Sequence, residues 1–218
     1  MSGRLIAIGD VHGYSAALAA LVEAIDPQPE DRVVPLGDYV DRGPDSPGVI
    51  GQLIELAARC RLFPILGNHD EVLLNIRDGE PSLQDWLSFG GDTTLAAYGC
   101  DHPRQIPAEH ADFLQHCLAY YEAEKHFFVH ASYVPGLPLD RQPGDVLRWD
   151  SLRYSRPGPH CSGKIAIVGH TAQYETFEIL DLGYLRCIDT CCYGGGWLTA
   201  LDAESGRVWQ ADGAGRMR

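Results

Sequence analysis

Three short apolar runs, residues 5–8, 32–36 and 62–66, alternate with two amphipathic stretches, 14–25 and 46–59, within the first 66 residues. Apolar runs of four or five residues have the length of buried strands, and the stretches between them carry helical periodicity. A strand-helix-strand-helix-strand order implies a parallel sheet with right-handed crossovers, so an all-helical or purely antiparallel fold is excluded. Ser46-Pro47 marks the second helix start, with Ser46 expected at the N-cap and Pro47 at the first helical position. The middle of the chain is helical in pattern over 70–76, 82–89, 93–98 and 108–117, which predicts a small helical cap over about residues 70–118. The last third is strand-rich, with runs at 120–129, 164–168, 176–180, 185–189, 197–201 and 207–210. Two mixed sheets flanked on their outer sides by helices fit this order. A chain of 218 residues lies within what one hydrophobic core supports, so a single domain over 1–218 is expected.

The apolar runs end in polar residues of one kind. They give way to Gly9-Asp10-Val11-His12-Gly13, Gly37-Asp38-Tyr39-Val40-Asp41-Arg42-Gly43, Gly67-Asn68-His69-Asp70, Val129-His130-Ala131 and Gly169-His170-Thr171. In α/β sheets ligands bind beyond the carboxyl ends of the strands, where loops are free to carry polar groups. Glycine there lets the backbone turn sharply and approach an ion. Asp10 and His12, two residues apart, would project to one side of an extended segment, with Val11 turned into the core. Asp38 follows Asp10 by 28 residues and Asn68 follows Asp38 by 30, about one strand-helix unit each, so successive strands deliver these groups to one place. A lone Asp-x-His or Gly-Asn-His more often caps a helix or closes a turn; five such ends in one chain need a common reason. Asp10, His12, Asp38, Asn68, His130 and His170 are too many ligands for one tetrahedral zinc and suit two ions, with Asp38 between them. His102, His110, His116, His126 and His160 lie outside these motifs and are expected to be structural or solvent-facing.

Charge narrows the ligands. Seventeen Lys and Arg against 30 Asp and Glu give a net charge of −13, which disfavours nucleic acid and anionic membrane surfaces as partners. An anionic substrate would need bound cations to reverse that sign locally. No window approaches the roughly 18–20 apolar residues of a membrane span. Residues 1–10 lack the apolar core and cleavage site of a signal peptide, so the protein is expected in the cytoplasm. Seven cysteines, at 60, 100, 117, 161, 187, 191 and 192, have neither a paired framework nor zinc spacing and are expected to be reduced.

Together the motifs GDVHG, GDYVDRG, GNHD, HAS and GHT resemble those of the phosphoprotein phosphatase branch of the calcineurin-like metallophosphoesterases, over nearly the whole chain. The resemblance implies a four-layer α/β/β/α sandwich and the same six metal ligands, with catalysis by His69 and Asp41. In such a site two divalent cations lower the pKa of a bridging water and so supply a hydroxide nucleophile that attacks phosphorus directly. His69 would protonate the leaving oxygen, Asp41 would hold its imidazolium, and Arg42 and Asn68 would contact the phosphate. Mixed imidazole, carboxylate and amide ligands favour Mn2+, with Fe, Zn or Ni as alternatives.

The sequence departs from the protein phosphatases at Leu66 and Ser151, where they commonly have phosphate-binding arginines, and at Ser132, where they have glycine. Arg148 and Arg153 lie near enough to Ser151 to replace one contact. Leu66 and the stretch 188–199 look instead like the symmetrical dinucleoside tetraphosphate hydrolases, which tend to lack the Asp of the DRG motif that Asp41 supplies. The expected activity is therefore hydrolysis of phosphomonoesters, phosphoserine and phosphothreonine in proteins or phosphotyrosine, on a phosphorylated protein or a small phosphate ester. The alternatives are a symmetrical bis(5'-nucleosyl)-tetraphosphatase and, in another class, an inactive metal-binding scaffold.

Overall fold

The computed structural model describes residues 3–79 and 82–218. Its first sheet has the order β10-β9-β1-β2-β3, built from β1 (Leu5–Ile8), β2 (Arg32–Pro35), β3 (Arg61–Leu62), β9 (Leu198–Asp202) and β10 (Val208–Ala211). Strands β1, β2 and β3 are parallel, joined through α1 (Ser15–Ile25) and α2 (Ser46–Ala57), while β9 and β10 run antiparallel at the other edge. The second sheet has the order β4-β5-β6-β8-β7, from β4 (Tyr121–Glu122), β5 (His126–Phe128), β6 (Ile165–Val168), β7 (Leu180–Asp181) and β8 (Leu185–Cys187). Here β5, β6 and β8 are parallel and the two outer strands antiparallel.

Side-chain alternation along the strands builds the layers. Leu5 and Ala7 point between the sheets, where they meet Val34, Leu36, Phe128, Ile167 and Ile188. Ile6 and Ile8 point outward onto Leu18 and Leu21 of α1 and Ile50 and Leu53 of α2. With both faces covered, β1 is fully buried, which is why it reads as an unbroken apolar run. Helices α3 (Asn68–Asp78), α4 (Leu83–Trp86), α5 (Asp92–Tyr98) and α6 (Ala108–Gln115) contribute Leu73, Ile76, Trp86, Leu95 and Leu114 to this same outer cluster. The outer face of the second sheet is covered more thinly, by Leu147 of the six-residue α7 (Gly144–Trp149) and by Tyr133, Leu139 and Leu152 beside it. No helix among the described residues is long and apolar enough to cross a membrane.

Two local expectations are corrected. The N-cap of α2 is Asp45, whose carboxylate accepts the Gly48 N–H at 2.9 Å, while the buried Ser46 hydroxyl pairs with Thr94 at 3.2 Å. An Asp directly before Ser-Pro competes for the cap, and here it wins. The run 176–180 is not a strand: only Leu180–Asp181 pairs, because residues 171–177 bend back, with the Phe177 N–H donating to Gln173 O at 2.7 Å.

Candidate active site

Six parallel strands of the two sheets end at one place. Asp10 and His12 follow β1, Asp38 follows β2, Asn68 and His69 follow β3, His130 follows β5, His170 follows β6, and Asp189 follows β8. The backbone is bent hard there. Five of the nine non-glycine residues with positive φ among those described are His12, Asp38, Asp41, Arg42 and His170, and such strain collects at functional sites. His12, with φ 46°, is therefore not in the extended geometry expected of an Asp-x-His pair, although Val11 is fully buried as expected. Gly37 and Gly67 let two turns touch: a Cβ on Gly67 would lie 2.2 Å from the Asp38 amide nitrogen.

Asp38 stands at the centre. Its Oδ2 lies 3.4 Å from His12 Nε2 and its Oδ1 3.4 Å from His130 Nε2. Donor atoms of His12, Asp38 and His69 form one cluster and those of Asp38, His130 and His170 another, each within 4.8 Å. Asn68 Oδ1 lies 3.0 Å from both His130 Nε2 and His170 Nδ1. Asp10 stands outside both clusters, and its carboxylate accepts the His170 amide at 2.9 and 3.1 Å.

The donor chemistry fits divalent cations. His12 Nδ1 and His130 Nδ1 are tied to the carbonyls of Val40 and Leu36 at 2.9 and 2.8 Å, which fixes the proton on Nδ1 and turns the Nε2 lone pair into the site. As oriented, His130 Nε2 and Asn68 Oδ1 are then two acceptors facing each other, an arrangement a cation relieves. Spacings of 3.0–3.4 Å are those of neighbouring ligands in an octahedron with bonds of about 2.1–2.4 Å.

Burial pushes His12, His130 and His170 below the usual imidazole range, His170 to about 4, which favours the neutral form that can coordinate a cation. Burial pushes Asp38 up, but the neighbouring imidazoles outweigh it and hold the carboxyl well below its ordinary range. Asp10 is pushed up by burial and by the charges of Asp189 and Asp38, and Asp189 by burial to about 6. Crowded carboxylates of this kind are what bound cations balance.

His69 is different. Its Nδ1 lies 2.7 Å from Asp41 Oδ2, so its partner is a buried carboxylate rather than a carbonyl. Burial pushes His69 down, yet Asp38 and Asp41 outweigh it and raise the imidazole above its ordinary value. Asp41 is itself held: Trp86 Nε1 donates to Oδ2 at 2.8 Å, Thr94 Oγ1 to Oδ1 at 2.7 Å, and the Asp41 N–H donates to Thr94 Oγ1 at 2.8 Å. Arg42 reaches His12 Nε2 and His69 Nε2 at 3.0 Å, and its guanidinium lies 4.2 Å over the Tyr193 ring. Arg42, His69 and Tyr193, with Asp38, Asn68 and His170, line a pocket of about 160 Å3 that Ser151, Arg153 and Thr171 help to close. Arg148, in contrast, is bound to Glu71 at 2.6 Å, so of the two arginines near Ser151 it is Arg153 that joins Arg42 in facing the pocket.

A profile of the calcineurin-like phosphoesterase family matches residues 3–174. The chain belongs to that family. Among curated members it is 36% identical over 132 residues to the symmetrical bis(5'-nucleosyl)-tetraphosphatase of Janthinobacterium sp. (strain Marseille), covering 59% of this chain and 43% of that protein. It is 38% identical over 105 residues to serine/threonine-protein phosphatase 1 of Salmonella typhimurium, covering 46% and 44%. The chain thus spans less than half the length of each of these two curated relatives. Among solved structures, a protein provisionally called a diadenosine tetraphosphatase superposes with a TM-score of 0.73 at 25% identity, over 97% of this chain and 94% of that one. A cold-active protein-tyrosine phosphatase from Shewanella sp. superposes with a TM-score of 0.71 at 17% identity, over 100% and 80%, which speaks for the fold alone.

Within this calcineurin-like site, sequence reasoning missed four residues. Asp189 carries the same signal as the others, an apolar strand ending in Asp. Trp86 and Thr94 carry none, since they reach Asp41 across the fold, and Tyr193 was marked only by the likeness of residues 188–199 to the tetraphosphate hydrolases.

Proposed function

We propose that this protein is a metal-dependent phosphoric ester hydrolase that cleaves phosphomonoesters, above all phosphoserine and phosphothreonine in proteins, whose leaving groups are alkoxides, and also phosphotyrosine. The observation that carries this is the division among the imidazoles: His12, His130 and His170 are pushed toward the neutral form, whereas His69 is raised beside Asp41. Groups whose pKa values are driven apart in one site mark separate roles for ligands and acid. Asp10, His12, Asp38, Asn68, His130 and His170 would hold two divalent cations, with Asp38 between them and Mn2+ preferred. When bound, the ions supply Lewis-acid charge and activated water.

The chain's own residues do the rest. The planar guanidinium of Arg42, set by the Tyr193 ring, offers two N–H groups to phosphate oxygens, and Arg153 faces the same pocket. Asn68 adds an amide beside them. His69 Nε2 gives its proton to the departing oxygen, while Asp41 accepts the Nδ1–H and stabilises the imidazolium until then. An alkoxide is a poor leaving group and needs that proton. An anhydride leaves as a stable phosphate and needs it less, so the buried His69–Asp41 pair favours an ester.

The second reading, a symmetrical bis(5'-nucleosyl)-tetraphosphatase, is favoured by the relative from Janthinobacterium. Metal-loaded protein assayed side by side on p-nitrophenyl phosphate, a phosphoserine peptide and diadenosine tetraphosphate separates the two. The phosphopeptide is expected to have the highest kcat/KM. Cleavage of diadenosine tetraphosphate orders of magnitude more efficient would overturn the ester reading, and no hydrolysis of any of the three would leave a metal-binding scaffold.

A further inference from the structure

Beside the candidate active site lies a second pocket, of about 180 Å3, lined by Arg153, Arg156, Gln173, Tyr174, Thr176 and one acid, Glu175. It adjoins the first, since Arg153, Thr171 and Ala172 line both. Arg153 is fixed at the junction: its Nη2 donates to Ala172 O at 2.8 Å and its guanidinium lies 4.2 Å over the Tyr174 ring. Among the described residues neither Arg153 nor Arg156 forms an ion pair with a carboxylate, whereas Arg4, Arg148, Arg186, Arg216 and Arg218 each do.

In a chain of net charge −13, two unpaired guanidiniums in one groove make a local field that favours an anion. Glu175 offsets part of that charge. A monoanionic carboxylate would gain little against it, while a phosphoryl group, carrying about −1.5 to −2, would still be attracted.

We propose that this second pocket binds a second phosphoryl group of the substrate, one linked to the group cleaved in the neighbouring site. The inference rests on the phosphoester-hydrolase reading and adds a specificity element to it. Arg153 would touch both groups and Arg156 only the second. The second phosphoryl group could belong to a multiply phosphorylated peptide, where it is close to a dianion, or to a polyphosphate chain, whose bridging groups carry about one negative charge each and attract through their number.

The test compares four substrates: p-nitrophenyl phosphate, a peptide with one phosphoserine, the same peptide with a second phosphoserine two residues away, and diadenosine tetraphosphate. The wild type should turn over a substrate with a second phosphoryl group with a kcat/KM about fivefold higher, mainly through KM, the worth of one solvent-exposed charged contact. Arg156→Ala should erase that preference, with at most a twofold change on p-nitrophenyl phosphate, and Arg156→Lys should restore part of it. A preference confined to diadenosine tetraphosphate supports the pocket and refutes the phosphoprotein reading. Equal losses on all substrates, no loss on any, or a preference met equally by a phosphoserine peptide with a neighbouring glutamate would overturn the proposal. Calorimetry of tripolyphosphate binding to the metal-free protein tests the pocket without catalysis: Arg156→Ala should bind about fivefold more weakly, and equal binding refutes it.

Discussion

Asp41→Asn isolates one charge from the site. Asp41 is fully buried, and its Oδ2 accepts from His69 Nδ1 at 2.7 Å and from Trp86 Nε1 at 2.8 Å. An Asn carbonyl at the Oδ2 position keeps both donors, and its amide faces Thr94 Oγ1, a hydroxyl that can turn to accept. The substitution therefore preserves shape and removes the carboxylate from His69. A hydrogen bond to a charged group contributes about 1.5–3 kcal/mol, and one pKa unit corresponds to about 1.36 kcal/mol, so the His69 pKa should fall by roughly 1–2 units. The sign follows from the direction of the shift, since a raised imidazole pKa reflects favoured protonation and removing a cause lowers it. Long-range 1H–15N spectra of the metal-free variant, titrated with pH, read this directly. An unchanged His69 titration would refute the claim that Asp41 stabilises the imidazolium, and a fall in every histidine would point to a disturbed fold.

Asp38→Asn should cost metal as well as activity, because both carboxylate oxygens face imidazole nitrogens at 3.4 Å; elemental analysis that still finds two ions contradicts the placement of Asp38 between them. Thr94→Val leaves the Asp41 amide and Oδ1 without their partner, so urea unfolding should report a loss of about 2 kcal/mol or more. Far from the site, burial pushes Asp31 up, but the Arg4 guanidinium and the amides of Gln28 and Arg4 outweigh it and hold its carboxyl below the ordinary range. A depressed folded pKa contributes stability above the unfolded value of about 3.9 that is lost as pH falls through the folded one. Asp31→Asn should thus lower stability at pH 7 by roughly 1–2 kcal/mol, given that the Arg4 side chain is 33% exposed, and the gap to wild type should close below about pH 4.

What was legible in the sequence follows from what is local. Residues 5–8 and 33–35 show themselves because parallel strands buried on both faces are apolar, and Asp10, Asp38, Asn68, His130 and His170 show themselves because they break that pattern at its end. Asp189 breaks it too and was readable on the same ground. The caps, short edge strands and turns were less legible, since Asp45 and Ser46 are both good caps and the choice depends on Ser46 meeting Thr94 from another helix. Trp86 and Thr94, 45 and 53 residues from Asp41, could not be read at all, because only the folded chain brings them to it. The His12 conformation was missed for a related reason: its positive φ goes with a tertiary contact, the His12 amide donating to the Asp38 carbonyl at 2.7 Å.

The division of labour between His69 and the coordinating histidines is most directly tested by His69→Asn on two substrates, with metal content measured on the same sample. A general acid contributes about 10²- to 10⁴-fold and matters most where the leaving group is basic. The variant should retain its metal, lose activity in that range on a phosphoserine peptide, and lose much less on p-nitrophenyl phosphate, whose leaving group departs as a stable anion. Equal losses on both substrates, or loss of metal, would make His69 a ligand or a structural residue and contradict the account.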